Sequence, residues 1–538
     1  MCDPRIHAGT SGHRWRGYNQ AVKPSLPKAL LQTSCCLIFV AVAVLRCPLA
    51  GGDELSRLDG DALKVVVTAE EQALGREFIR LARTRLRLIE DPLLVNSVDR
   101  IGARLGQGLN VEPGVIGFHL VDNPAINGFA GPGGQIVLFT GLIATAETEA
   151  EFASVIAHEL AHVTQRHLPR MIERARKRQI PATAGLIAGI LLGGQAGAAT
   201  MAATNAAALS DQLSYTRTFE READAIGLRI LSTAGYEPQA MARFIQRLAQ
   251  DTRFQVNETP EYFRTHPLSL NRIAEIESRV VGHPQEATSQ TLEYLLLRAR
   301  ALARYGADAE HLAATFQSQA GADIPEVASA GRYGLMLSGL RTGAYNQSVE
   351  LALSLRAQSP KNIFYVVGLA ESLQATGDLN SALKLLAEAT TTVPDDPVVA
   401  SYYADMLIKA GKPDQAKPVI RAGLRALPHS MRLFKLLARA EGELGRTAES
   451  FQALAEYHYL SGELQTALAK LTAALQYAQA SAYLTASITA RRSEILQEVE
   501  QDDGPLHGMW CGQSPNNIKN LLKVGYPAHK IKWYRGGM

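Results

Sequence analysis

The sequence predicts a mainly α-helical protein with one small β-sheet, built as a compact N-terminal domain followed by an α-solenoid. Three observations predict it. Apolar residues recur at helical spacing through most of the 538 residues. Only two short apolar runs, Val115–Val121 and Gln135–Phe139, read as strands. From about residue 330 the chain repeats, with Gly343, Gly377, Gly411 and Gly445 at one fixed spacing of 34 residues.

The first fifty residues read as an export signal. Arg14, Arg16, Lys23 and Lys28 precede the apolar run Leu30–Leu45, and the small-residue stretch Leu49-Ala50-Gly51-Gly52 follows. Cleavage is expected near Ala50, and an uncleaved anchor is the alternative. Cys47 follows Arg46, so no lipoprotein signal is read. Cys2, Cys35, Cys36 and Cys47 lie in the removable segment and Cys511 alone remains. The mature chain therefore forms no internal disulfide, and a zinc ion in it must be held by histidine and carboxylate. A composition of 46% hydrophobic and 20% charged residues is that of a globular chain. The net charge of +3 is too small for a nucleic-acid partner, and no Lys/Arg stripe is interleaved with aromatics.

Ala69–Leu88 and Pro92–Leu105 carry helical periodicity. The Asn-, Pro- and Gly-rich stretch Asn123–Gly134 reads as a loop between the two strands. The second strand, with Gln135, Ile136, Val137 and Leu138, is expected to be an edge strand. There it could pair with an extended peptide and hold a scissile bond over the next helix. That helix is read as continuous from Glu149 to His167.

It contains His158-Glu159-Leu160-Ala161-His162. Residues four apart share a helix face, so two imidazoles can grip one tetrahedral Zn²⁺. A zinc ion there makes a water acidic enough for Glu159 to take its proton as it attacks a peptide carbonyl. Phe152, Ile156, Leu160 and Val163 form an apolar stripe, so the helix is buried and its histidines need partners. The reading is a zincin-like metallopeptidase domain. His167 lies about half a turn from His158 and is read as structural. Catalytic zinc takes a third protein ligand, and Glu220-Arg221-Glu222-Ala223-Asp224 offers carboxylates on a later helix. Spacing alone leaves Glu220 and Glu222 both open. Between these helices, residues 181–208 are Gly/Ala-rich and nearly uncharged. A helical hairpin covering the site or touching a membrane surface is expected, with a membrane span as the alternative.

In the repeats, Pro360, Pro394 and Pro428 keep the glycine period, as do the small residues Ser348, Ala382, Ala416 and Ser450. A turn glycine, a small packing residue and a terminal proline at this period are the tetratricopeptide signature. Each unit is a helix pair, and stacked pairs make a curved solenoid with a concave binding face. The expected organisation is a signal peptide over 1–50, a metallopeptidase domain over 53–282, a solenoid over 290–500 and a tail over 501–538. The metal site lies wholly before residue 270, so it is expected to work without the repeats.

Residues 53–282 resemble the zinc metallopeptidases typified by the prenyl-protein protease and the membrane heat-shock protease. The marks are Asn127-Gly128-Phe129-Ala130-Gly131-Pro132-Gly133-Gly134, His158–His162, Glu220-x-x-x-Asp224 and Thr265-His266-Pro267. The repeats narrow the resemblance to the family's exported branch. It implies one Zn²⁺ held by His158, His162 and Glu220, with Asp224 orienting a zinc-bound histidine. It implies that His266 sits over the open metal position, as oxyanion donor or as cap, and that Arg272 helps the substrate carbonyl. It also implies a periplasmic location, unfolded or stalled outer-membrane proteins as substrates, and outer-membrane assembly machinery as the partner of the repeats. The family has Ala and Leu where this chain has Gly128 and Gly131, which predicts a looser loop. The exported branch's disulfides between protease and repeats are impossible with one mature cysteine. Gly504–Met538 resembles the end of a rhodanese-like domain, with Cys511 as a sulfur carrier the functional alternative to a remnant. Against the peptidase stands a different class, a chaperone or adaptor whose metal site is silent, and the intact Glu159 favours the enzyme.

Overall fold

The computed structural model describes residues 63–64, 67–110, 114–177, 206–254, 261–267, 270–281, 291–394 and 396–502. The export segment, most of residues 181–208 and the tail with Cys511 lie outside the described residues. Among the described residues no helix is long and apolar enough to cross a membrane. The described residues are mostly helical, with one three-stranded sheet and a two-residue pairing of Leu63–Lys64 with Leu109–Asn110.

Helix α1 (Ala69–Arg85) starts in a capping box between Thr68 and Glu71. Helix α2 (Pro92–Gly106) starts on Asp91, whose carboxylate accepts from the Leu93 and Leu94 amides. Strands β1 (Gly117–Val121), β2 (Gly128–Ala130) and β3 (Gln135–Phe139) then form the sheet. Its order is β1-β3-β2, parallel between β1 and β3 and antiparallel between β3 and β2. The strand expected at the edge is thus central. Ile136, Val137 and Leu138 are fully buried, and the β3 backbone is paired on both sides. The outer strands are β1 and β2, and β2 lies inside the stretch expected to be loop. The Gly131 N–H donates to the Gln135 carbonyl and the Phe139 N–H to the Asn127 carbonyl. Odd-numbered residues of this stretch therefore face β3, and the peptide groups of Gly128 and Ala130 face outward.

Gly131 is not loose. A Cβ there would lie 2.6 Å from the Phe78 ring of α1, so the ring fills the space a side chain would need. Phe78 meets Phe129 edge-on at 6.3 Å, and both belong to a small core with Val121, Val137 and Phe139.

Helices α3 (Thr140–Thr145) and α4 (Glu149–Thr164) follow. Helix α4 is buried from Ala150 to Ala161. It ends at Thr164, earlier than expected, because Arg166 takes a left-handed backbone, φ 53°. Arg166 is held there by an ion pair with Glu71 at 2.7 Å. Helix α5 (His167–Lys177) starts in a new direction, and α6 (Ala206–Thr233) packs along α4. The crossing is tight at Gly227, where a Cβ would lie 3.3 Å from the His158 amide nitrogen. Helices α7 (Gln239–Phe254), α8 (Glu261–Thr265) and α9 (Leu270–Val280) complete this part.

Helix α10 (Leu292–Tyr305) opens an all-helical succession. It continues through α11 (Ala309–Ala320), α12 (Pro325–Thr342), α13 (Tyr345–Gln358), α14 (Ile363–Ala375) and α15 (Leu379–Thr392). It ends with α16 (Pro397–Lys409), α17 (Pro413–Ala426), α18 (Met431–Glu443), α19 (Thr447–Ser461), α20 (Leu464–Tyr477) and α21 (Ala482–Asp502). Gly343, Gly377, Gly411 and Gly445 all have φ between 70° and 88°. A Cβ on any of them would meet nothing within 4 Å, so backbone conformation alone demands glycine.

The solenoid does not stand apart. One hydrophobic core runs without break from Ile89 to Ala440. Tyr294 of α10 donates to the Ile143 and Ala146 carbonyls, and Arg298 donates to the Ala144 carbonyl. Arg300, fully buried, pairs with Asp91 at the head of α2 and with Glu371 of α14. It also donates to the Tyr333 and Tyr402 hydroxyls at 3.1 and 2.7 Å. The boundary near residue 290 separates two architectures that share one core.

Candidate metal centre

Four side chains, from α4, from α6 and from the residue that follows α8, meet at one place: His158, His162, Glu220 and His266. His158 Nε2 lies 3.1 Å from His162 Nε2, 3.2 Å from His266 Nδ1 and 3.4 Å from Glu220 Oε2. Glu220 Oε1 lies 3.5 Å from His162 Nε2 and 3.2 Å from His266 Nδ1. Zinc–nitrogen bonds of about 2.0–2.1 Å in a tetrahedron place donor atoms ~3.3 Å apart. The donor set and its spacing therefore fit zinc.

The carboxylate open to two readings in sequence is resolved by position. Glu220 joins the cluster, while Glu222 points to the far side of His162. Burial would raise the Glu220 carboxyl, but His266 and Arg272 overcome it and hold the group well below its ordinary range. Asp224 accepts at 3.1 Å from His158 Nδ1, the ring nitrogen facing away from the cluster. Burial alone would lower the His158 pKa, and Asp224 and Glu220 outweigh it and carry the ring to about 9.

Arg272 departs from expectation. Its Nε and Nη2 donate to Asp224 at 2.6 and 2.8 Å, its Nη1 pairs with Glu220 at 2.9 Å, and it is 2% exposed. A guanidinium so engaged orients the two carboxylates. Gln135 is equally remote: its amide oxygen bonds His119 Nε2 at 2.8 Å and its NH₂ donates to the Gly133 carbonyl. With Ile136, Val137 and Leu138 it supports the site from beneath.

Glu159 is fully buried, and among the described residues no side chain hydrogen-bonds either carboxylate oxygen. Burial raises its pKa, tempered by His266 and His158. An orphaned carboxylate 3.4 Å from His266 Nε2, with its affinity for protons raised, has the properties of a general base. His266 itself stacks on Tyr262 at 4.8 Å, and its Nε2 donates to the Gly128 carbonyl at 3.3 Å. Asn127 ties the same corner together, accepting from the Gly128 amide and the Thr265 hydroxyl. Sequence reasoning did not find Tyr262, although its position four residues before His266 was the available signal.

A buried HExxH helix, a carboxylate ligand on a second helix and an orphaned base define a metallopeptidase, and the helical repeats fused to it make a distinct class. Residues 92–280 match the model of peptidase family M48, and residues 373–440 match a tetratricopeptide repeat. The beta-barrel assembly-enhancing protease of Yersinia pestis is 32% identical over 75% of this chain and 83% of its own. A putative one from Vibrio cholerae is 30% identical over 87% of this chain and 98% of its own. The mitochondrial metalloendopeptidase OMA1 of Arabidopsis thaliana is 32% identical over 28% of this chain and 29% of its own. The chain belongs to the β-barrel assembly-enhancing proteases of peptidase family M48. It is a zinc metallopeptidase. When bound, zinc supplies a Lewis acid that polarises a peptide carbonyl and lowers the pKa of water. The residues placed to hold it would be His158, His162 and Glu220, with His266 in reach as a fourth.

Proposed function

We propose that this chain is an exported endopeptidase of the periplasm that removes or helps to assemble unfolded or stalled outer-membrane proteins. Its relatives' name and their near full-length likeness support this reading. The repeats then recruit substrate or assembly machinery through the concave face of the solenoid. Residues 181–208 provide a peripheral contact with a membrane surface.

Substrate lies along the outer edge of β2. The β3 backbone is saturated, and at β2 the Gly128 N–H and carbonyl are held by Asn127 and His266 in the closed state, so withdrawal of His266 would free the Gly128 carbonyl for pairing. Glu159 takes the proton of the attacking water, and Asp224 and Arg272 keep His158 and Glu220 in place.

His266 caps the zinc in the resting enzyme. The single observation that carries this is its Nδ1, placed 3.2 Å from both His158 Nε2 and Glu220. Four protein donors close a zinc site that needs an open position for catalysis. Tyr262 and Asn127 hold the cap shut, so activity requires α8 to move away from β2. This closed state also accommodates the adaptor reading, in which the protein acts without cutting for part of its cycle. His266→Ala should raise the rate of casein digestion and promote self-cleavage. A fall in rate of about 10²–10³ would make His266 an oxyanion donor instead.

A further inference from the structure

We infer that His167 and Glu222 form a hydrogen-bond relay that fixes the tautomer of His162 and slows the release of zinc. The inference rests on zinc being the metal held by His162.

His162 presents Nε2 to the ligand cluster, 3.1 Å from His158 Nε2 and 3.5 Å from Glu220 Oε1. Its opposite nitrogen, Nδ1, lies 2.9 Å from His167 Nδ1. His167 Nε2 in turn lies 3.2 Å from Glu222 Oε2. Two facing ring nitrogens need one proton between them. A neutral His162 that offers its Nε2 lone pair to a metal carries its proton on Nδ1, and so donates to His167. The accepting His167 carries its own proton on Nε2 and donates to the Glu222 carboxylate. Every proton has one place in this order. The reverse order would put a proton on His162 Nε2, pointing at the other ligands.

The relay is held rigid. His167 is 1% exposed and stacks on Phe219 at 4.1 Å with the rings 15° from parallel. Arg170 binds Glu222 at 3.1 Å and lies over the Phe219 ring. The left-handed Arg166 makes the contact possible. On an unbroken helix, a residue five positions on lies about 140° round the axis, with its side chain pointing away. The break after Thr164 returns His167 to face His162. The two ligand histidines are thus secured differently: His158 by the Asp224 carboxylate directly, His162 through a second imidazole.

Removal of such an outer partner costs about 10–100-fold in metal affinity. The test uses the full chain loaded with zinc, and reads zinc release to a chromophoric chelator together with the visible spectrum of the Co²⁺-substituted protein. His167→Phe preserves the stack on Phe219 but accepts no hydrogen bond. It should release zinc about 10–100-fold faster and change the cobalt bands, with the metal-free thermal midpoint kept. His167→Gln supplies an amide oxygen as acceptor and should restore much of the retention. Glu222→Ala, at a half-buried position, should speed release in the same direction, and Glu222→Gln less. Wild-type release rates in His167→Phe and Glu222→Ala overturn the relay. So does equal loss in His167→Phe and His167→Gln, which would make the ring a packing element only. If His167→Phe does not fold, the Glu222 pair decides alone. Absence of zinc from the wild-type protein would instead refute the metal assignment beneath the inference.

Discussion

Arg300→Met should destabilise the peptidase and the solenoid together. Arg300 is 0% exposed, and its guanidinium faces Asp91 and Glu371 at 2.8 and 2.9 Å. Methionine fills similar space but leaves both carboxylates without their main partner, and only Arg304 still reaches Glu371, at 2.7 Å. The magnitude has two sources. Breaking a buried pair from one side costs about 3–5 kcal/mol. Independently, burial would raise the Glu371 carboxyl, and Arg300 and Arg304 outweigh it, bringing it from 4.5 to about 2. That fall corresponds to roughly 3 kcal/mol of stabilisation of the charged form. The sign in pH follows. Glu371 is depressed in the folded chain, so its contribution is complete above about pH 4.5 and disappears as pH falls toward 2. Urea unfolding of wild type and Arg300→Met at pH 7 should differ by about 3–5 kcal/mol, and the gap should narrow below pH 4. Arg300→Met/Glu371→Gln should recover part of the loss, since the orphaned charge is gone. An unfolding midpoint for Arg300→Met equal to wild type would refute the reasoning, as would a gap that widens in acid.

Other outcomes follow from the same geometry. Glu159→Gln should retain one zinc per chain by metal analysis yet lose casein digestion, whereas Glu220→Ala should lose both. Retained activity in Glu159→Gln would remove it as the base. Deletion of residues 330–500 should yield an unstable peptidase by circular dichroism, because it strips Glu371, Tyr333 and Tyr402 from Arg300 and opens the common core. A deleted chain that melts cooperatively and keeps its zinc would contradict this. Asp99 of α2 is pushed up to about 6 by burial. Its folded form favours the protonated acid, so its cost grows as pH rises from 3.8 to about 6 and is constant above that. Asp99→Asn should therefore raise the unfolding free energy at pH 8 by about 1–2 kcal/mol given its partial exposure, and leave it unchanged below about pH 3.

Periodic features were the legible ones. The fourfold spacing of His158 and His162 needs only helical geometry, and the repeat glycines needed only their interval. Glu220 could not be told from Glu222 by spacing, because both lie on one turn and the choice is made by how α6 rotates against α4. Strand β2 was hidden because Asn127, Gly128 and Gly131 carry no strand propensity. Its pairing is enforced by β3 beside it and by Phe78 above. Adjacency to the His266 motif says nothing about the direction of Arg272, whose guanidinium engages Asp224 and Glu220. His167 was set aside on the premise of a straight helix, which the left-handed Arg166 removes. The solenoid's period made it look self-contained, since nothing in a repeat marks the face that meets a neighbouring domain.

The ligands come from widely separated places in the chain: one pair on α4, one carboxylate on α6, one ring after α8. An ion bridging His162 and Glu220 staples shut a loop of roughly 60 residues, and such a closure removes on the order of 4 kcal/mol of freedom from the unfolded chain in the cross-link model. The catalytic metal is thereby also a buckle. It adds to the packing of α4 on α6 at Gly227 and to the bonds from His167 and Arg170 to Glu222, so loss of zinc would loosen this protein as well as silence it.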